Sequence, residues 1–102
     1  MSAIVQVNFK HNMSENDLAA GALEWAENVK PDIAGLKWKI FLNAPDKKES
    51  TGIYLFESLD SAEAYANGDM VRAMEHSPDR SDISVRVSQV LEDASIAAGA
   101  PV

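Results

Sequence analysis

The stretch Leu36-Lys-Trp-Lys-Ile-Phe-Leu-Asn-Ala-Pro-Asp-Lys-Lys-Glu-Ser-Thr-Gly-Ile-Tyr-Leu-Phe56 decides how this chain folds. It holds two strand-like runs, Leu36 to Leu42 and Gly52 to Phe56, joined by a polar loop from Asn43 to Thr51. Four of the seven aromatic residues lie between Trp38 and Phe56. The pair reads as a hairpin with large side chains on both alternate faces. An antiparallel strand ordinarily gives one face to a core and the other to water. Two apolar faces need two coverings: the chain's own helices on one side and, most simply in a chain of 102 residues, a second copy on the other.

Outward from the hairpin the pattern alternates between strand and helix. Ala3 to Phe9 alternates, with Val5, Val7 and Phe9 opposite Ile4, Gln6 and Asn8, and predicts a strand. Ser14 with Asp17 three residues on predicts a helix start. Leu18, Ala22, Trp25, Ala26 and Val29 then form one stripe of an amphipathic helix, which Pro31 stops. After the hairpin, Ser58 or Asp60 caps a second helix carrying Ala62, Tyr65 and Ala66. Asn67-Gly68 breaks it, and Met70, Ala73 and Met74 continue for a turn or two. Ser77 to Ser81 reads as a loop and Ile83 to Val90 as the last strand. A small, apolar tail follows from Glu92 to Val102.

The order is β-α-β-β-α-β in one domain spanning residues 1–102. With right-handed crossovers it gives an α+β fold, a ferredoxin-like four-stranded antiparallel sheet with its helices on one face. Alternation assigns Val5, Trp38, Ile53 and Val85 to the helix face. It leaves Asn8, Lys39, Phe41, Tyr54, Phe56 and Arg86 on the other, where a homodimer packing sheet against sheet would bury them. A bulge in any strand would swap part of this assignment.

The formal charge is −7, from 16 acids and 9 bases. That argues against nucleic acid and against an anionic membrane surface as partners. No stretch approaches the roughly 20 apolar residues of a membrane span, and the start of the chain lacks the features of a signal peptide. Cysteine is absent, so no disulfide is expected, and the expected location is cytoplasmic.

Trp38-Lys-Ile-Phe41, a polar loop, Gly52-Ile-Tyr-Leu-Phe56 and Ser61-Ala-Glu-Ala-Tyr65 together resemble the small bacterial YdhR-type monooxygenase family. The resemblance extends over nearly the whole chain. It implies the dimeric α+β barrel fold shared with antibiotic-biosynthesis monooxygenases that use no cofactor.

Phosphate loops, nucleophile elbows and metal signatures are missing. His11 and His76 are far apart and read as exposed or capping residues; no metal or other cofactor is expected. What remains is an aromatic pocket with a few polar groups. Trp38 would stack on a planar substrate or belong to the core. Tyr54 would hydrogen-bond a substrate oxygen or pack at a dimer interface. Lys39 and Arg86 would meet an anion, or pair with acids across the dimer. Asn8 is a further polar candidate, and Trp25 is pocket roof or core. Phe41 and Phe56 complete the aromatic lining.

The leading expectation is a cofactor-independent monooxygenase for a small aromatic or polyketide-like molecule, with Tyr54, Lys39 and Asn8 acting on it. No general base is evident. The alternatives are a dimer that binds a small hydrophobic ligand without turnover, and isomerase or lyase chemistry on the same scaffold.

Overall fold

The hairpin forms with longer arms than its sequence predicts. In the computed structural model, which describes all residues from Met1 to Val102, β2 runs Leu36–Ala44 and β3 runs Glu49–Phe56. The loop shrinks to a short 3-10 turn, Pro45–Lys47, and one left-handed residue, Lys48, at φ 53°. Asn43 and Thr51 are drawn into the ladder because their backbone groups find partners there: Asn43 lies opposite Ser50, and Leu42 opposite Thr51.

The other strands are β1, Ala3–His11, and β4, Arg80–Gln89. The sheet is antiparallel throughout, in the order β2-β3-β1-β4. Helix α1 spans Glu15–Asn28 and α2 spans Leu59–Ala66. Both begin where a serine supplies the missing acceptor: Ser14 accepts from the Asp17 N–H and Ser58 from the Ser61 N–H, each at 3.1 Å. Asn67 ends α2, and Gly68 caps α3, Asp69–Glu75. The tail forms a short helix, α4, Glu92–Ala97, where the sequence suggested only an apolar end. No helix is long and apolar enough to cross a membrane.

The core lies between the sheet and the helices. Ala3, Val5, Val7, Leu36, Tyr54 and Phe56 meet Ala62 and Tyr65 of α2 and Val71 of α3. This corrects half of the expected face assignment. Val5 and Val85 do face the helices, but so do Lys39, Phe41, Tyr54 and Phe56, while Trp38 and Ile53 lie on the far side with Asn8 and Arg86. The register shows it: Val5 and Lys39 both pair with Tyr54, whereas Trp38 pairs with Leu55 and Ile40 with Ile53.

Two bulges produce much of this difference. In β2 the partner of Leu36 is Phe56 and the partner of Trp38 is Leu55, so Lys37 is an extra residue. Leu36 faces the core, but the bulge flips everything after it by one position. In β4, Asn8 pairs with Ser84 but Lys10 pairs with Ser81, which leaves one residue more on β4 than on β1. Asp82 takes up the extra length in a left-handed conformation, φ 52°. This second bulge turns Arg80 to the helix side, opposite His11.

The far face is partly covered by the chain's own end. Trp38 Nε1 donates to the Pro101 carbonyl at 2.9 Å. Leu55, the partner of Trp38 across β2 and β3, is fully buried yet outside the helix-side core. Ile40 and Leu42 remain 46% and 47% exposed on the same face.

Candidate active site

Helices α2 and α3 pack directly on β1, β3 and β4, but α1 has no comparable packing on any strand. None of its residues is fully buried. The space between α1 and the sheet is a cavity of about 840 Å³. Its walls include Trp25 of α1, Lys39 and Phe41 of β2, Tyr54 of β3, Tyr65 of α2 and Arg80 of β4. A cavity of that size, mostly apolar with a few polar groups, suits a small molecule.

Lys39 sits at the centre of three rings. Its Nζ lies 3.9 Å from the ring centre of Trp25, 4.0 Å from that of Phe41 and 4.3 Å from that of Tyr54. Trp25 meets Phe41 and Tyr54 edge-on, at 5.7 and 5.8 Å between ring centres. The ring faces attract the ammonium. Burial opposes them and, with the charge of Arg80 second, brings Lys39 down from 10.5 to about 7. An amine in that range is part ammonium and part free base near neutral pH.

Gly52 makes the cage possible. It pairs with Phe41 in the hairpin. A Cβ there would stand 2.8 Å from the Tyr54 ring and 2.9 Å from Lys39 Cε. The missing side chain lets the Lys39 stem and the Tyr54 ring share the surface of the strand.

The two buried phenols form a pair. The hydroxyls of Tyr54 and Tyr65 are 3.2 Å apart and hydrogen-bonded, with ring centres 4.9 Å apart. Burial is the largest cause that pushes both above the usual phenol range, so they act as donors rather than bases. Two hydroxyls carry two protons and their mutual bond uses one. Whichever way it points, one O–H is left to donate, and both residues line the cavity.

The structure thus brings together Tyr54, Lys39, Trp25 and Phe41, while Phe56, expected in the lining, is buried in the core behind Tyr54, stacked on it at 6.4 Å, and does not line the cavity. It separates them from the other sequence candidates by the thickness of the sheet. Asn8 lies on the far face in a side-chain ladder, accepting from Thr51 Oγ1 at 2.7 Å and donating to Ser84 Oγ at 3.4 Å. Trp38 is tied to the tail, and Arg86 is exposed opposite Gln6. None of the three lines the cavity.

Three cavity residues escaped the sequence reading as functional groups: Tyr65, Gly52 and Arg80. Tyr65 stands on the core stripe of α2, but nothing local shows that its hydroxyl meets Tyr54. Arg80 falls in what reads as a loop, and only the β4 bulge turns it inward. His11, read as exposed or capping, is buried at the end of β1, with Nδ1 accepting from the Met13 N–H at 3.2 Å. His76 is exposed at the end of α3. No cluster of His, Cys, Asp or Glu could hold a metal ion.

Sheet, helix layer and cavity define the class: a ferredoxin-like α+β protein with its cavity under α1. More narrowly, the chain belongs to the family described as "Putative mono-oxygenase ydhR", whose profile matches residues 4–101. Among solved structures it is similar to Rv0793 from Mycobacterium tuberculosis, with 15% identity over 93% of this chain and 100% of that one, TM-score 0.61. It is also similar to a protein from Bacillus cereus described as a putative antibiotic-biosynthesis monooxygenase, 12% identical over 89% and 94% of the two chains, TM-score 0.60. A third is the heme-degrader MhuD (Rv3592) from Mycobacterium tuberculosis, with two hemes bound in its active site. It is 16% identical over 86% and 95%, TM-score 0.54. At such identities these structures share the fold and no more. No curated protein matches the chain.

Proposed function

We propose that the cavity under α1 oxygenates a small aromatic or polyketide-like substrate with dioxygen, without a cofactor. The observation that carries this reading is Lys39, an amine brought to about 7 inside a cage of three rings. It supplies the general base that the sequence lacked. A phenol whose keto form has an acidic methylene would stack in the cage, and the free amine of Lys39 would take its proton. The resulting anion would be held by the new ammonium and by the spare O–H of the Tyr54–Tyr65 pair. It is electron-rich enough to pass an electron to dioxygen. Recombination gives a hydroperoxide, and loss of water leaves a carbonyl. One oxygen atom ends in the product and the other in water, with all electrons supplied by the substrate.

The donor set supports the cofactor-free reading over a haem-based one like that of MhuD. The cavity walls hold no histidine or cysteine, the usual axial ligands. The two tyrosines are bonded to each other and kept protonated.

The test is oxygen uptake by metal-stripped protein against hydroquinones and polycyclic phenols. Protein-dependent uptake with an oxygenated product is the expected result. Tight binding without uptake would replace oxygenation by a binding role or by non-oxidative chemistry. Tyr54→Phe should lower kcat/KM by roughly tenfold or more, with stability changed by only about 1 kcal/mol. Unchanged turnover would make the Tyr54 hydroxyl scaffold.

The same proposal includes a second copy of the chain on the far face of the sheet. Trp38, Ile40, Leu42 and Ile53 share that face by register, and its outer half is left bare by the tail. Sedimentation should give twice the chain mass, and Ile40→Glu should give the monomer. A monomeric wild-type protein would remove the dimer from the proposal.

A further inference from the structure

Two buried N–H groups where β1 meets β4 have no acceptor, and of the two residues only Arg80 lines the main cavity. They are Nε of Arg80 and Nε2 of His11. The two residues are direct partners across β1 and β4. His11 is 9% exposed, and its Nδ1 already accepts from the Met13 backbone. In the neutral imidazole the proton therefore sits on Nε2, which makes that atom a donor.

Arg80 is also an unpaired cation. The chain's ion pairs are Lys10–Asp82 and Arg72–Asp69, both at the surface, and neither involves Arg80 or Lys39. The Arg80 guanidinium lies over Phe9, 5.2 Å from its ring centre. Buried polar groups are nearly always matched, and Arg80 is half-buried with no carboxylate in ion-pair reach. The cavity's acids, Glu15 and Glu24, are exposed residues of α1.

Charge gathers at this end against the trend of the whole chain. Arg80 lines both the main cavity and a smaller one of about 320 Å³, whose walls also include Lys10, His11, Lys47 and Lys48. Four of the nine basic residues thus collect there, with Asp79 as the one acid, in a chain of charge −7. Lys39 feels the same field, since the charge of Arg80 contributes to its lowered pKa.

Resting on the reading of the main cavity as the substrate site, we infer that its substrate is an aromatic carboxylate, anchored by Arg80 while its ring lies among Trp25, Phe41 and Tyr54. A guanidinium can offer two parallel N–H groups to a carboxylate. A neutral aromatic would fill the cage and leave the Arg80 cation unmatched.

Calorimetric titration with naphthoate and with its neutral amide tests this. The wild-type protein should bind the carboxylate tighter than the amide by roughly tenfold or more. Arg80→Gln should abolish the preference while leaving the affinity for the amide unchanged. Arg80→Lys should restore part of it, because lysine keeps the charge without the planar fork. Circular-dichroism melting of each variant separates a lost anchor from a lost fold. Should Arg80→Gln not fold, the wild-type and Arg80→Lys preferences decide. Equal wild-type affinity for the two compounds overturns the inference, as does binding of neither, or a preference that survives Arg80→Gln. A carboxylate preference without oxygen uptake on any substrate would retain it and remove the oxygenation reading alone.

Discussion

Phe56→Ala should lower stability by about 3–5 kcal/mol and the thermal midpoint by roughly 15–30 °C. Phe56 is fully buried. Its ring stacks on Tyr54 at 6.4 Å and meets Tyr65 at 5.5 Å, so truncation leaves a cavity whose walls cannot close. The stability of a domain this size is itself only about 5–15 kcal/mol, which makes the loss a large fraction of the whole. Phe41 offers the control. It shares the hairpin and the face but is 41% exposed, and its replacement by alanine should cost clearly less. Melting curves followed by circular dichroism decide. Equal losses at the two positions would mean that Phe56 is not held in the core that the β2 and β3 register places between sheet and helices.

Lys39→Met should move stability and turnover in opposite directions. Below pH 7 Lys39 is protonated in both folded and unfolded chains, so folding must bury its charge. The fall from 10.5 to about 7 corresponds to a penalty on the order of 5 kcal/mol. Between about pH 7 and 10.5 the unfolded chain holds a proton that the folded chain does not. Wild-type stability therefore rises with pH across that window, and the penalty is gone above it. The three rings return part of this, together roughly 2–3 kcal/mol, which leaves desolvation ahead. Methionine fills the same space without charge. The variant should be the more stable protein at pH 6, and its advantage should vanish by about pH 10.5. Its kcat/KM should fall by roughly 10²–10⁴ if Lys39 is the base, and wild-type activity should rise with pH through about 7 as the free amine forms. A variant less stable than wild type at pH 6 would show that the rings outweigh desolvation. Lys39 would then stay charged at neutral pH and could not serve as the base.

Much of this molecule was legible before any coordinates. The βαββαβ order, the Ser14 and Ser58 caps and the Asn67-Gly68 break between α2 and α3 rest on local signals: period, capping residues and helix breakers. Lys39 could be singled out as a charge on a strand that must be buried, Phe41 and Tyr54 as its large strand neighbours, and Trp25 from the apolar stripe of α1. The family pattern across residues 4–101 rests on the same residues.

What the sequence could not determine was which way those side chains point. Both faces of the β2–β3 hairpin are apolar, so alternation alone gives two equivalent answers. One inserted residue at Lys37 and another at Asp82 choose between them for Lys39 and Arg80, because each bulge reverses the alternation on one side of it relative to the other. The Lys37 bulge also sent Trp38 away from the cavity, whereas Asn8 and Arg86 lie on the far face, where plain alternation puts them. The Tyr54–Tyr65 bond and the unmatched N–H groups of Arg80 and His11 exist only once separate elements are packed. Local sequence determined the elements, because backbone hydrogen bonding and side-chain period act over a few residues. Tertiary structure decided the site, because register and bulges are settled by pairing between strands far apart in the chain.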